Sequence, residues 1–195
     1  MAFDFEKNLD MIERSVKSMD MDCYCSLVGD CLNALRAGKQ IVVTGLGKNM
    51  PVCEKFVSSM NSVGLNAAFL HTSEAFHGDM GLVKDGDVVI VLSKSGRTPE
   101  TLLLVEKLKL KATVILWAIT FEADAELCKK VDKCITLSLE QEGGPWNIMP
   151  MNSTVVTLFL LQGIIIDLVN TLGVTLNDFR SNHPGGGIGQ KLLNT

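Results

Sequence analysis

The chain has 195 residues, a length that suits one compact domain with a full hydrophobic core. Hydrophobic residues make up 47% of it and charged residues 21%, a composition that is typical of globular proteins and excludes a disordered chain. The formal net charge of −4 argues against nucleic acid or a membrane surface as the main partner, whereas a small phosphate remains compatible because local backbone donors bind anions whatever the total charge.

The N-terminal part of the chain has the periodicity of helices. Apolar side chains recur there at three- and four-residue steps, at Leu9, Ile12, Val16 and Met19 and again at Leu27, Cys31 and Leu35. Gly38 is placed to end the second helix. No repeat or linker follows, so we expect a single domain over residues 1–195, with helices in 1–39 and a core with a C-terminal tail in 40–195.

Short β-branched runs then alternate with longer amphipathic stretches. The runs are apolar on both faces, as in parallel strands covered by helices on each side, and occupy residues 41–45, 67–71, 88–93, 113–120 and 134–139. Helical patterns lie near residues 50–63, 99–111, 122–131 and 153–172. This alternation predicts a three-layer, doubly wound α/β fold whose ligands bind beyond the carboxyl ends of the strands.

The last of these helical patterns contains an almost continuously apolar stretch, residues 155–166. A run of about 12 residues is shorter than the ~20 residues that a membrane span requires, so we expect a helix that is buried on most sides. The six cysteines show no repeating spacing and no secretory signal precedes them. We expect all six to be reduced thiols, and we expect the protein to be cytoplasmic.

The segment TGLGKNMP, residues 44–51, follows the first predicted strand. Gly45 and Gly47 allow a tight turn and the close approach of a ligand to the backbone. The spacing matches neither the dinucleotide fingerprint nor a P-loop. A glycine-rich turn with Lys48 in solvent is an equally good interpretation at this point.

The segment VLSKSGRTPE, residues 91–100, follows the third predicted strand. Thr98 suits the N-cap of a helix and Pro99 its first position. Ser93 and Ser95 add two hydroxyls beside a helix N-terminus, whose free N–H groups carry partial positive charge. Because this is more than a cap needs, we favour a phosphate site over ordinary turn chemistry. A second hydroxyl pair, Ser153 and Thr154, is either an N-cap or another wall of the same site.

Three ionisable side chains extend the candidate set. His77, Glu100 and Glu142 each follow the end of a predicted strand, so all three converge on one crevice. Zinc is a rival interpretation of the histidines, but no HxxxH or HxH spacing occurs, and we expect no metal.

Four segments resemble the signatures of sugar-isomerase (SIS) domains, and most of all those of arabinose-5-phosphate isomerases. They follow one another over nearly the whole chain: GLGKN at 45–49, SEAFHGDMG at 73–81, SKSGRTPE at 93–100 and SNHPGGGIGQKL at 181–192. The EAxHGDxG and HPGGxxG elements are the specific ones. The glycine turn alone would not identify the family.

This resemblance implies a five-stranded parallel αβα sandwich of flavodoxin-like type, assembled as a homotetramer with active sites shared between subunits. It implies interconversion of D-ribulose 5-phosphate and D-arabinose 5-phosphate for Kdo, lipopolysaccharide or capsule synthesis, without cofactor or metal. The resemblance places phosphate or substrate binding at Ser93, Ser95, Thr98, Gly47, Asn49, Ser153 and Thr154. It places catalysis at Glu142, His183, Glu100, Lys48 and His77.

The implied chemistry moves a proton between adjacent carbons through an enediol. A glutamate in a partly dehydrated crevice has its pKa raised toward neutrality, so we expect Glu142 to be the base, with Glu100 as the alternative. His183 is the expected acid, reaching in from a neighbouring subunit. His77 and Lys48 would polarise the carbonyl or bind hydroxyls.

Two departures from the family pattern bear on this expectation. The usual Lys-Ser-Gly is replaced here by Lys48, Asn49 and Met50, and an amide can still donate a hydrogen bond. Many relatives carry a pair of CBS domains after the HPGG segment, whereas this chain stops at Thr195. We therefore expect regulation by that module to be absent or to reside elsewhere.

Two rival functions remain at this stage. One is isomerisation of another phosphosugar, as in 6-phospho-3-hexuloisomerase or sedoheptulose-7-phosphate isomerase. The other is sugar-phosphate sensing without catalysis, as in the SIS modules of transcription regulators. A sensor could dispense with Glu100, Glu142 and His183, all of which are present, and it would normally carry a basic recognition helix, which residues 1–39 lack.

Overall fold

In a computed structural model, which describes residues 3–193, the chain folds around one five-stranded sheet. The strands are β1 (Ile41–Gly45), β2 (Ala67–His71), β3 (Val88–Leu92), β4 (Ile115–Thr120) and β5 (Lys133–Thr136). All neighbours pair in parallel, in the order β2-β1-β3-β4-β5. The predicted five-stranded parallel sheet is therefore confirmed. The ends of the predicted domain, residues 1–2 and 194–195, lie outside the described residues.

Among the described residues, six helices match the periodic segments of the sequence, and two more, over residues 176–181 and 186–193, lie in the C-terminal tail, where no helix was predicted. They are α1 (Phe5–Lys17), α2 (Met21–Arg36), α3 (Asn49–Ser62), α4 (Pro99–Lys111), α5 (Glu126–Lys130), α6 (Asn152–Leu172), α7 (Leu176–Ser181) and α8 (Gly186–Leu193). Two short 3-10 turns, Glu74–His77 and Asp79–Leu82, follow β2. α5 is shorter than predicted because residues 122–125 form a turn, closed by the Ala125 amide on the Glu122 carbonyl.

Two apolar clusters bury the two faces of the sheet. On one face Val43, Ile90 and Trp117 pack against side chains of α2, α3 and α6. On the other, Val42 and Val89 pack against α4 and α5. Helices on both faces explain why each strand is apolar throughout, and they confirm the three-layer αβα sandwich.

The strand order reverses between β1 and β3. The chain leaves β1 toward α3 on one face, and it leaves β3 toward α4 on the other. The two loops therefore diverge, and we expect a crevice between them at the carboxyl edge of the sheet, the position where doubly wound folds bind ligands. The glycine turn and the hydroxyl-rich loop border this crevice.

α6 is the most apolar helix of the described residues. By length and composition alone it could cross a membrane. In the fold it packs as a core helix and buries one face, whose members are Asn152, Ser153, Val156, Thr157, Leu160, Leu161, Ile164, Ile165 and Leu168. The expectation of burial on most sides is only partly right, because Val155, Phe159 and Ile166 remain exposed on this chain.

The prediction of six reduced cysteines is wrong at two positions. Cys128 and Cys134 form a disulfide, with their Cα atoms 5.4 Å apart. α5 ends soon after Cys128 and β5 begins just before Cys134, so the tight connection brings the two residues together. Cys23, Cys25, Cys31 and Cys53 are free thiols.

Candidate active site

The glycine turn after β1 is shaped by a close approach between its two ends. A Cβ atom on Gly45 would lie 2.8 Å from the Cβ of Asn49, and Gly47 has a φ of +62°. The Asn49 side-chain amide donates to the Leu92 carbonyl at 3.3 Å and so joins the turn to the end of β3. Lys48 precedes α3 and is exposed. Asn49 therefore has a structural role, in addition to any contact that it makes with substrate.

The hydroxyl-rich loop after β3 is held from within. The Ser93 hydroxyl is buried and accepts a hydrogen bond from the Gly96 amide at 3.2 Å. Gly96 has a φ of +57°, and a Cβ atom there would lie 2.5 Å from the Cβ of Ala125. Ser95 is exposed, and its hydroxyl accepts from the Arg97 amide at 3.3 Å. Internal bonds and the packing of α5 thus fix the loop in one conformation.

α4 begins as the sequence predicts, with Thr98 as N-cap and Pro99 in the first turn. The Thr98 side chain makes no capping hydrogen bond. The amides of the first turn therefore lack a side-chain acceptor from their cap, and the Thr98 hydroxyl can itself donate. Such a helix start attracts an anion, because unpaired N–H groups and the helix dipole both favour negative charge.

Glu142 is the central ionisable side chain of this edge, and it is fully buried. Its carboxylate accepts four hydrogen bonds, two on each oxygen. Oε1 accepts from Lys94 Nζ at 2.7 Å and from the Ser153 hydroxyl at 2.6 Å. Oε2 accepts from the Met151 and Ser153 amides at 2.9 and 3.0 Å. The carboxylate thus accepts two hydrogen bonds on each oxygen and is saturated with donors.

The expected pKa of Glu142 is wrong in direction. Burial by itself raises the pKa of the carboxyl, but the hydrogen bonds from Lys94, Ser153 and Met151 outweigh it, and the pKa lies below its ordinary value of 4.5. Sequence reasoning anticipated the burial but not the number of donors. In this state Glu142 is a carboxylate at neutral pH.

Lys94 is a site residue that sequence reasoning missed. It lies between Ser93 and Ser95, and its side chain is 40% exposed while the Glu142 side chain that it pairs with is 0% exposed. Its carbonyl accepts from Thr120 Oγ1 and from the Phe121 amide, each at 2.9 Å. A cation inside a predicted phosphate-binding loop is the signal that would have found it.

Asn8 is a second residue that was missed. This buried α1 side chain accepts from Asn152 Nδ2 at 2.8 Å, and the same Nδ2 approaches the Gln141 carbonyl at 3.2 Å. The Glu142 amide donates to Asn147 Oδ1 at 2.6 Å. The loop that carries Glu142 is therefore held by the N-terminal helix and by the start of α6, which no local pattern indicates.

The hydroxyls at the start of α6 are engaged within the chain. The Ser153 hydroxyl donates to Glu142, and the Thr154 hydroxyl donates to the Met151 carbonyl at 2.7 Å. Neither residue is the N-cap, because the helix begins earlier, at Asn152. Ser153 thus orients the carboxylate directly.

Two other predicted side chains border the same edge without contacting Glu142. His77 ends the 3-10 turn after β2 and is exposed. Glu100 occupies the first turn of α4 and is exposed as well. Neither makes a hydrogen bond or ion pair within the described part of the chain.

His183 lies elsewhere on the same chain. Its neighbour Asn182 donates to the carbonyl of Ser62, the last residue of α3, at 3.4 Å. The 14 residues of α3 extend about 20 Å, so His183 sits near the amino edge of the sheet, opposite Lys48. Its Nδ1 lies 2.7 Å from the Phe179 carbonyl oxygen, and since a carbonyl only accepts, Nδ1 is the donor in this hydrogen bond.

Known proteins resemble this chain over the part that forms the sheet and the candidate site. The family model described as SIS domain matches residues 34–166, which include the whole sheet and both loops of the crevice. The chain belongs to the SIS domain family. This SIS domain is 35% identical to arabinose 5-phosphate isomerase KdsD of Pseudomonas aeruginosa over 96% of the chain. It is also 35% identical to arabinose 5-phosphate isomerase KpsF of Escherichia coli over 78% of the chain.

These relatives are longer than the SIS domain described here. The chain spans 60% of the KdsD sequence and 46% of the KpsF sequence. A solved structure of similar length is that of E. coli CFT073 c3406 in complex with arabinose 5-phosphate, with a TM-score of 0.84 and 27% identity. The match covers 92% of this SIS domain and 93% of that chain.

Proposed function

We propose that the protein is an aldose–ketose isomerase that interconverts D-ribulose 5-phosphate and D-arabinose 5-phosphate. The observation that carries the proposal is the contact between Lys94 and Glu142, since it joins the hydroxyl-rich loop, the proposed anion site, directly to a buried carboxylate. Two relatives named arabinose 5-phosphate isomerase and a fold neighbour bound to arabinose 5-phosphate support the choice of substrate.

The phosphate would bind at the start of α4. Ser95, Thr98 and the first-turn amides offer donors there, while Ser93 holds the loop in shape. We assign Gly47 and Asn49 to the opposite wall of the crevice, and Ser153 and Thr154 to the side that carries Glu142. Remote phosphate binding then positions the reacting carbons, which is its contribution to the rate.

Isomerisation removes a proton from C1 of the ketose and returns one to C2 of the aldose. We propose Glu142 as the base that makes this transfer, with Glu100 as the alternative because it is exposed in the first turn of α4, beside the proposed phosphate site. Lys48 and His77 would stabilise the oxyanion of the enediol intermediate. None of these steps requires a metal or an organic cofactor.

His183 would act in the active site of another subunit, protonating oxygen during ring opening. This proposal is supported by its position at the amino edge and by an exposed apolar face on the same chain. The exposed members of that face are Phe5, Leu9, Val155, Phe159 and Ile166. We propose a homotetramer with shared sites, in which such a face is covered.

We further propose that residues 1–195 form one SIS domain, since α1 and α2 pack on α6 and extend the same core. The cellular setting that we propose is the cytoplasm, with the product entering Kdo, lipopolysaccharide or capsule synthesis. The net charge of −4 supports a phosphosugar rather than nucleic acid or a membrane as the partner.

One experiment tests the reaction itself. The protein is incubated with ribulose 5-phosphate in heavy water and the products are followed by NMR, with Glu142→Gln as the matched inactive variant. Deuterium at C2 of new arabinose 5-phosphate supports the proposal. Binding without turnover would favour a sensor, and turnover of only a hexose or heptose phosphate would assign a different substrate.

A further inference from the structure

Glu142 cannot act as a base while all four of its donors are in place. Each carboxylate oxygen already accepts two hydrogen bonds, so a proton from carbon has no free lone-pair position to occupy. Three of the donors belong to Met151 and Ser153, at the start of α6, and two of those three are backbone amides. One donor must leave before the chemistry that we propose can occur.

Lys94 is the donor that is able to leave. Its backbone is fixed by the bonds of its carbonyl to Thr120 and Phe121, but its side chain is a flexible four-carbon stem that is 40% exposed. Among the described residues, Lys94 is the one charged group within 4 Å of the Glu142 carboxylate. The groups contributed by α6 and by the loop before it are hydroxyls and amides, and Asn8 of α1 is neutral.

Lys94 lies in the loop where we expect the substrate phosphate to bind. It lies between Ser93 and Ser95 in the loop that leads into α4, where the anion is expected to bind. A phosphate monoester carries up to two negative charges, whereas Glu142 carries one. A bound dianion therefore competes strongly for the same ammonium group.

We propose that Lys94 is a positioning residue that couples phosphate binding to Glu142. It holds the carboxylate in the unliganded protein and transfers to the phosphate group of a sugar phosphate when that group binds. The transfer leaves Oε1 with the Ser153 hydroxyl alone, so the oxygen gains a free lone pair directed at the crevice. This inference rests on the proposed function and identifies which part of the substrate prepares the base.

The first test does not depend on turnover. The Glu142 side-chain carboxyl is followed by 13C NMR across a pH titration, assigned with Glu142→Gln, with and without saturating inorganic phosphate. In the wild type, phosphate should move the titration midpoint upward. In Lys94→Met without phosphate, the titration midpoint should already lie above that of the wild type. Adding phosphate should move it much less than it moves the wild-type midpoint. Equal shifts in the two proteins, or no shift in either, would overturn the proposal.

The second test measures rate. Lys94→Met should lower kcat/KM for ribulose 5-phosphate by about tenfold or more, and Lys94→Arg should recover part of that loss because it keeps the charge. Lys109→Met, an exposed lysine of α4, is the matched control and should behave as wild type. If Lys94→Met keeps the wild-type pH profile and rate, the coupling is excluded. If the wild type itself is inactive while the NMR coupling holds, only the proposed isomerase function fails.

Discussion

Asn8 in the first helix and Gly143 in the loop after the last strand lie so close that a Cβ atom on Gly143 would be 1.9 Å from Asn8 Oδ1. That oxygen also accepts from Asn152, so it cannot move away without breaking a buried hydrogen bond. Gly143 has a φ of +83°, which side chains rarely adopt. The residue next to the proposed base is therefore fixed by the N-terminal helix.

This contact predicts the effect of Gly143→Ala. The variant should lose about 1–3 kcal/mol of stability in urea unfolding, because it forces both a steric clash and a strained φ. It should also lower kcat by displacing Glu142. Gly144→Ala is the matched control, since a Cβ atom there would meet nothing closer than 3.5 Å. Identical behaviour of the two variants would show that the loop does not need this contact.

A second glycine tests the phosphate loop. Gly96→Ala should weaken the binding of inorganic phosphate and raise KM for the phosphosugar by about tenfold or more, because the new Cβ atom would push the loop away from Ala125. Calorimetric titration with phosphate measures this without any assumption about the reaction. Gly29→Ala, in a helix with open space around the position, is the control and should bind normally. Unchanged phosphate affinity in Gly96→Ala would place the anion elsewhere.

The lowered pKa of Glu142 predicts a pH-dependent stability. Because its pKa in the folded protein lies below 4.5, the carboxylate stabilises the fold above that pH, and this contribution is lost as the pH falls through the folded value. Glu142→Gln should cost about 1–3 kcal/mol at pH 7 and progressively less in more acidic solution. Urea unfolding of both proteins from pH 7 to pH 3 measures the difference, with the exposed Glu54→Gln as control. A difference that stays constant with pH would contradict the assignment.

The position of His183 predicts complementation between subunits. His183→Ala and Glu142→Gln should each be inactive alone, but refolding them together at equal amounts should restore about a quarter of the wild-type rate, since one site in four then draws an intact residue from each of two subunits. Phe159→Asp should abolish this rescue by placing a charge on the exposed apolar face of α6. Failure of rescue in a proven oligomer would place His183 outside the shared site.

The Cys128–Cys134 disulfide predicts a count of reactive thiols. Alkylation of the denatured, unreduced protein should modify Cys23, Cys25, Cys31 and Cys53 alone, and prior reduction should add two more sites. Cys128→Ser should lower the free energy of unfolding by about 2 kcal/mol, which is the order expected for so short a loop. Mass spectrometry reads the first result directly. Modification of all six cysteines without reductant would restore the original expectation of reduced thiols.

The parts of the site that lie on single loops were predictable. Thr98 begins α4 where its N-cap pattern placed it, and the glycine turn follows β1 as its sequence indicates. Such features depend on residues within one turn of each other, so the local pattern contains the information needed to find them. The sheet was predictable for the same reason, because each strand is a short apolar run that helices must cover on both sides.

The amino-acid sequence by itself therefore determined the succession of strands and helices along the chain. It also determined which loops lie at the carboxyl edge of the sheet. The tertiary structure alone decided that Lys94 neutralises Glu142, that Asn8 supports the same loop, and that His183 faces the other end of the sheet. These relationships join residues far apart in the chain, and they arise from which loops the packed layers bring together. The pKa of Glu142 belongs to this second class, because burial and hydrogen bonding act in opposite directions and only the number of donors decides between them.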